Sequence, residues 1–356
     1  MQRNPDFDRL ADQWGIHFDG AVDYLPDAYR RDIRVAMDAQ PQLVTVPSAG
    51  IPAFLTTMVD PNIIKVLLAP NKAAEILGEV RKGTWLDQTA MFPILERVGE
   101  VSTYGDFNNN GHTGLNLGFP QRQAYLYQTI VEYGELEMER AGLARIGWAA
   151  ELREAATVVL NKFQNLTYFF GVANMQNYGI LNDPTISAPI GPGVKAAGGN
   201  KWVINNAINA TANEVYADIQ SLFIQLVSQT AGLVTSESKL ILVMSPSASV
   251  ALTATNSFGI GVYDLLKKNF PNIRFEVGIQ YGALTAANPQ GVAAGNIVQL
   301  IADGIEGQDT GYCAFNEKLR THPIVRDLSS FKQKMTQGTW GAIIRMPMAF
   351  AQMLGV

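Results

Sequence analysis

The chain has 356 residues, 47% of them hydrophobic, with 27 basic and 32 acidic side chains for a net charge of −5. That length suits about two domains with a true core, while the acidic balance excludes tight binding of bare nucleic acid, which needs a concentrated basic patch, though not a surface that merely faces it. A single cysteine, Cys313, excludes an internal disulfide framework, and the charged opening MQRNPDFDRLADQW, with no unbroken run of about 18 apolar residues, indicates neither secretion nor membrane insertion.

Residues 1–60 are punctuated by Pro5, Pro26, Pro41, Pro47 and Pro52, and Trp14, Phe18, Tyr24 and Phe54 lie among them without a sustained period. The pattern predicts an extended arm with one short helix over residues 24–39. Apolar residues along an arm that has no core of its own imply that it packs on a neighbouring surface. Asp60 reads as an N-cap and Pro61 as a first helical position; Pro70 splits this segment, and residues 71–80 are expected to form a second helix.

Between Thr84 and Glu139, two β-rich aromatic strands, TAMFPILERVGEVSTYG and QAYLYQTIVEYGELEM, flank the polar tip DFNNNGHTGLNLGFPQR. The expected element is one long hairpin with tyrosines on one face. An isolated hairpin is marginal in water, so this one must lean on something else, and another copy of the same chain is the expected support. A proline-free stretch follows, in which Leu152, Ala156, Val159, Phe163, Leu166 and Phe170 fall at helical spacing, opposite Glu151, Glu154, Asn161 and Asn165. This predicts a single amphipathic helix over residues 143–176, ~50 Å long, which Gly171 would kink or shorten.

The loop YGILNDPTISAPIGPGVKAAGGN closes the first half, and a compact α/β unit comes next. Thr211 and Glu214 make a capping-box pattern, and Val215, Ile219, Leu222, Phe223 and Leu226 form the buried stripe of a helix that stops near Gly232. KLILVM suits a central strand, residues 263–269 a helix leading into the strand IRFEV, and NIVQLIA a further strand; their order is left open. In GTWGAIIRMPMAFAQMLGV, Trp340, Ile343 and Ile344 are expected to return to the first half, which makes the α/β unit an insertion.

The search for chemistry returns little. Ser236 and Lys239 match an S-x-x-K spacing in which lysine activates a serine, but they lie in a polar turn rather than at the start of a buried helix. His17, His112 and His322 are isolated from one another and from metal-ligand partners. The glycines at 191, 193 and 198 and at 259 and 261 lack dinucleotide-binding spacing, and no Walker pattern occurs. Glu135, Glu137 and Glu139 read as a solvated edge or a favourable charge at a helix start. Cys313 reads as a small core residue. Tyr125, Tyr127 and Tyr133 are capable of stacking on bases, but with only Arg122 nearby, packing against protein is the better reading.

The order of arm, long hairpin, long helix, inserted α/β unit and returning strand resembles the major capsid protein of tailed bacteriophages, whose Hong Kong-type fold is shared with herpesvirus shells and bacterial encapsulins. The phrases EYGELEMERA, YGILNDP and GTWGAIIRMPMAFAQMLGV are similar to one phage capsid subfamily, and the likeness covers nearly the whole chain. It implies an α+β chain with an N-terminal arm at 1–60, an extended loop at 84–139, a peripheral domain from 61–83, 140–205 and 325–356 with its spine helix, and an axial domain at 206–324. It further implies self-assembly into hexamers and pentamers of an icosahedral shell, with portal and scaffold or decoration proteins as partners and packaged double-stranded DNA on the inner face, bound non-specifically. The location implied is the virion, assembled in the bacterial cytoplasm, with no membrane, catalytic residue, metal or cofactor. Trp14, Phe18, Phe92, Tyr104, Phe107, Tyr125, Tyr127 and Tyr133 are the expected contacts between subunits. Some such shells are welded by an isopeptide bond from a loop lysine. Here no lysine occurs between Lys82 and Lys162, so a non-covalent shell is expected, with no fused scaffolding segment and an untrimmed arm. The alternatives are an encapsulin-like compartment and, remotely, an acyl-transfer enzyme.

Overall fold

The computed structural model describes residues 71–143, 147–204 and 207–356. The chain divides into two compact units, Met1–Val66 and Leu67–Val356, and every described residue belongs to the second. The expected arm, its helix at 24–39, the helix after Pro61, and Trp14 and Phe18 lie outside the described residues.

The helix expected at 71–80 is a short α1 (Ala73–Leu77) followed by strand β1 (Glu79–Arg81). The ribbon that comes next is built differently from the sequence expectation. Strand β2 (Thr89–Met91) pairs with β5 (Gln121–Gln123), and β3 (Ile94–Gly99) with β4 (Thr113–Gly118), both antiparallel. TGLNLG is therefore a strand rather than part of the tip, which contracts to residues 100–112. The strand β6 (Tyr125–Gly134) is not part of the hairpin. It pairs over its whole length with β15 (Ser330–Ile344), from Tyr125 opposite Thr339 to Gly134 opposite Ser330, across more than half of the chain's length. The reason is amphipathic: Tyr127, Val131 and Tyr133 alternate onto one face, and that face needs a covering layer that a bare hairpin cannot supply.

The cover is helical. After α2 (Glu135–Leu143) comes α3 (Trp148–Phe170), whose 23 residues span ~34 Å. The helix expected over residues 143–176 is thus shorter at both ends, and Gly171, at φ +63°, ends it; a side chain there would be strained. Its inward face is also rotated from the expected one. Ala156, Leu160, Gln164, Asn165 and Thr167 are buried, while Val159 and Phe163 are exposed. Hydrogen bonds make a polar inward face tolerable: Asn165 Oδ1 accepts from Ala73 N at 3.1 Å, and Thr167 Oγ1 lies 3.1 Å from Thr339 Oγ1. Val131, Tyr133, Ala156, Leu160 and Met335 form the apolar cluster between helix and sheet.

Beyond a small ladder of β7 (Val203–Ile204) with β8 (Ala207–Ile208), the α/β unit follows its expected elements closely. Helix α4 (Ala212–Gln229) opens on a complete capping box of Thr211 and Glu214 and buries Val215, Ile219, Leu222 and Leu226. Strand β9 (Leu240–Met244) is buried at every position. Then come α5 (Pro246–Ala251), α6 (Val262–Asn269), β10 (Ile273–Val277) and β11 (Ile297–Ala302). A small hairpin of β12 (Gly304–Ile305) and β13 (Gln308–Asp309) leads into β14 (Gly311–Asp327), which pairs antiparallel with β15.

Two four-stranded sheets result, ordered β1-β14-β15-β6 and β10-β9-β11-β16, the last strand being β16 (Phe350–Leu354). The C-terminal segment was expected to sit wholly with the first half, but β16 pairs with β11 as the edge of the second sheet. Its Phe350, Ala351 and Met353 are fully buried in the large core, which is what draws it there. Trp340 and Ile343 do return to the first half, packing on Ala90, Phe92 and Ala124, whereas Ile344 joins the large core.

A buried ion pair fixes the loop at 191–201 to α4. Lys195 Nζ bonds Asp218 Oδ2, which also accepts from Trp202 Nε1 at 2.6 Å, while Gly193 N donates to Oδ1 at 3.0 Å. Asp218→Ala strands a buried ammonium and is expected to remove about 3–5 kcal/mol, read as a lower denaturation midpoint. At the α4 cap, backbone N–H donation from Thr211, then from Ala196, holds the Glu214 carboxyl below its ordinary value. A depressed carboxyl stabilises the fold fully above the unfolded value and loses that contribution as pH falls through the folded one. Glu214→Gln should therefore lower the melting temperature at pH 6 and progressively less so under acid conditions.

Candidate assembly surfaces

The ribbon β2–β5 is the exposed feature of the described chain. All six residues of β3 and all six of β4 are exposed, so neither face of this two-stranded ladder is covered. Leu95 lies opposite Leu117 and Arg97 opposite Leu115 on one face; on the other, Ile94 and Val98 stand opposite Gly118 and Gly114. With no side chain at either glycine, the second face leaves backbone bare for another chain to approach. Pro93 and Pro120 fall between the two ladders and donate no ladder bond; Phe92 N to Pro120 O, at 3.0 Å, is the backbone bond at that level.

The foot of the ribbon is held by two of the three phrases singled out in the sequence, and the third lies at the far end of β6. In YGILNDP, Asp183 accepts from Arg122 Nη2 at 2.8 Å, with both side chains buried, and the guanidinium lies over the Tyr178 ring at 4.9 Å. In GTWGAIIRMPMAFAQMLGV, Trp340 is buried and its Nε1 donates to Lys82 O at 2.9 Å. Gly341 sits at φ +75° with Tyr178 O 2.3 Å from where a Cβ would lie, so only glycine fits. In EYGELEMERA, Tyr133 is 5% exposed and stacks on Phe331, and Glu135 pairs with Arg326 at 2.5 Å, at the start of α2. Gln123 N to Gln176 O and Ala124 N to Gln88 O, both 2.9 Å, complete the anchorage.

The expected subunit contacts separate into two groups. Tyr104 and Phe107 are fully exposed at the tip. Phe92, Tyr125, Tyr127 and Tyr133 are engaged within their own chain: Phe92 packs on the Trp340 cluster, Tyr133 lies under α3, and Tyr127 packs at a tilt on Phe163, 4.6 Å between ring centres, while its hydroxyl donates to Gln337 at 2.8 Å. Burial pushes the Tyr127 phenol well above its ordinary value. Tyr125, half-buried, joins the same aromatic group at 6.0 Å from Phe163. The sequence reading did not single out Val325 and Leu328, exposed near the turn of the β14–β15 hairpin.

Among the described residues, the candidate chemistry-bearing side chains are not brought together. Ser236 and Lys239 are exposed in a turn closed by Thr235 N donating to Ser238 Oγ at 3.0 Å. His322 Nε2 bonds Thr336 Oγ1 at 3.1 Å, and Cys313 is fully buried, which pushes its thiol upward. Among the described residues no group of three or more His, Cys, Asp and Glu is placed to hold a metal ion, and no described helix is long and apolar enough to cross a membrane.

Residues 42–355 match the family model described as Pa193 gp26 major capsid protein. The chain belongs to that family. Among solved structures it is similar to the capsid of Myoviridae Phage XM1, with a TM-score of 0.68 at 16% identity over 86% of this chain and 100% of that one. It is also similar to the capsid of a native GTA particle (TM-score 0.57, 11% identity, 88% of this chain and 99% of that one) and to Gordonia phage Cozz (TM-score 0.56, 12% identity, 88% and 97%). At those identities the likenesses establish the fold. No curated protein matches the chain. The member is a phage capsid-forming protein, and the compartment alternative is not favoured.

The anchorage of the ribbon is separable from its tip. Asp183→Ala leaves Arg122 buried without its carboxylate and should cost about 3–5 kcal/mol, with limited proteolysis cutting first within residues 84–124. Phe107→Ser, at a fully exposed site, should change stability by no more than about 0.5 kcal/mol.

Proposed function

We propose that this chain is the shell subunit of a tailed double-stranded-DNA phage and that the exposed ribbon is its means of assembly. The observation that carries the reading is a ladder uncovered on both faces in a member of a capsid protein family. Such a surface is an aggregation hazard on a monomer and an interface in a shell. In this reading residues 89–123 reach over the adjacent subunit as the extended loop, and α3 with the β1-β14-β15-β6 sheet forms the peripheral domain, α3 being its spine. The β10-β9-β11-β16 sheet with α4, α5 and α6 forms the axial domain, and residues 1–60 wrap a neighbour as the arm. Subunits join head to tail into pentamers and hexamers, and rings joined through their rims close the shell.

The role is mechanical rather than catalytic. Many weak contacts sum to the strength that holds a self-repelling genome, touched non-specifically on the inner face. Portal protein, with scaffold or decoration proteins, completes the particle, which assembles in the bacterial cytoplasm. The absence of lysine between Lys82 and Lys162 supports a non-covalent shell.

The full chain, purified and concentrated, should form rings and closed particles in negative-stain images and sediment as megadalton species. A well-behaved monomer at every concentration would refute the reading. Mass spectrometry of denatured particles should return one chain mass; a ladder of covalent oligomers would contradict the non-covalent shell alone.

A further inference from the structure

The face of the first sheet turned away from α3 carries a cavity of about 340 Å³ lined by Ile130, His322, Pro323, Val325, Lys332 and Lys334. The sequence explains why a dent forms there. The β14–β15 register slips between Thr321 and Ile324, around a proline that has no N–H for the ladder, and such an irregularity bends a strand out of a flat sheet. The floor is apolar and uncovered, with Ile130 58% and Val325 61% exposed. Two cations stand at its rim and differ in state. Lys332 is paired with Asp327 at 2.7 Å and Glu132 at 3.3 Å, so it contributes mainly its aliphatic stem. Lys334, beside Ile130 in the cross-strand register, has no ion pair among the described residues.

The ribbon tip presents the opposite chemistry. Residues 100–112 contain Glu100 and Asp106 and no lysine or arginine, and Phe107 projects with its whole side chain exposed. The loop is already organised by its own bonds: Asn108 N to Gly105 O at 2.9 Å, Asn108 Nδ2 to Thr103 O at 2.7 Å, Ser102 Oγ to Asn110 O at 2.7 Å, and Tyr104 OH to Asp106 Oδ1 at 2.9 Å. A rigid loop that presents one aromatic ring loses little entropy on docking, and an aromatic seated in a desolvated pocket is the usual form of an interface anchor.

Resting on the shell reading above, we infer that Phe107 of one copy seats in the Ile130–Val325 cavity of the next copy, with Asp106 facing Lys334. Tip and cavity are different surfaces of the same chain, so the contact is heterologous and propagates around a ring, as capsomers require. The cavity lies at the small end of the ~300–1,000 Å³ range of ligand pockets, a size for a protruding side chain.

The test uses the full chain carrying Phe107→Cys together with Val325→Cys. The one native cysteine, Cys313, is fully buried, so it contributes little background. A disulfide forms only where the two Cβ atoms come within about 4.5 Å. Assembled particles, oxidised and run without reductant, should give a ladder of linked chains that neither single variant gives. As a second readout, Asp106→Lys or Lys334→Asp alone should raise the protein concentration needed for assembly roughly tenfold, and the two together should restore most of that loss.

Particles of normal size with no ladder, no rescue and a Val325→Cys thiol still open to a soluble maleimide would overturn the contact, assign the cavity to another occupant, and leave the shell reading standing. Failure of the unaltered chain to assemble would remove the shell reading first.

Discussion

A two-stranded ladder has two faces and no interior, and everything around the ribbon answers to that constraint. The chain places buried charge, a buried tryptophan and a glycine in the left-handed region at the ribbon's foot, while it leaves the distal part bare. Arg122 and Asp183, with Tyr178 stacked on the guanidinium, set the direction in which the ribbon leaves the sheet. The pair joins residues 61 apart in sequence, tying the ribbon to the segment that follows α3. A buried pair of this kind gives definition of geometry more than net stability, and definition is what a projecting arm needs.

The two sheets are not strung together as independent modules. The chain passes from β11 in the second sheet to β14 and β15 in the first, then back to β16 in the second. Tyr168 and Phe169, at the end of α3, lie in the same large cluster as β9, β11 and β16, so helix and second sheet share one core. The cross-strand alternation of β14 makes the junction concrete: Tyr312 and Ala314 face the cluster at the ribbon's foot, while Cys313 between them faces the large core.

What was legible in the sequence was local. The α4 capping box, its stripe from Val215 to Leu226, the buried run of β9 and the strand at β11 depend on neighbours a few residues away, and each lies where its pattern places it. Strand pairing was not local. Nothing within residues 123–138 announces that Tyr127, Val131 and Tyr133 belong under a helix and beside β15, so the two tyrosines read as surface for another chain. The α3 face was misread for a related reason: Asn161 and Asn165 look like a solvent face until Gln337 and Ala73 supply their partners. Tyr104 and Phe107 were legible because a polar, glycine-flanked loop leaves an aromatic nowhere to go but outward. Those partners are set by tertiary structure, and tertiary structure outranks pattern.

Pro93 and Pro120 lie on opposite strands of the ribbon where its two ladders are separate, Pro93 across from Phe119 and Pro120 across from Phe92. Because neither imide nitrogen donates there, that level resists bending least, and the distal half can tilt against the foot at small cost. In the proposed shell, one sequence placed in both five-membered and six-membered rings meets neighbours at unequal angles. A compliant joint at this level lets the anchored foot stay identical in every copy while the outreach adjusts, so curvature is absorbed by a wrist instead of by the packed body of the subunit.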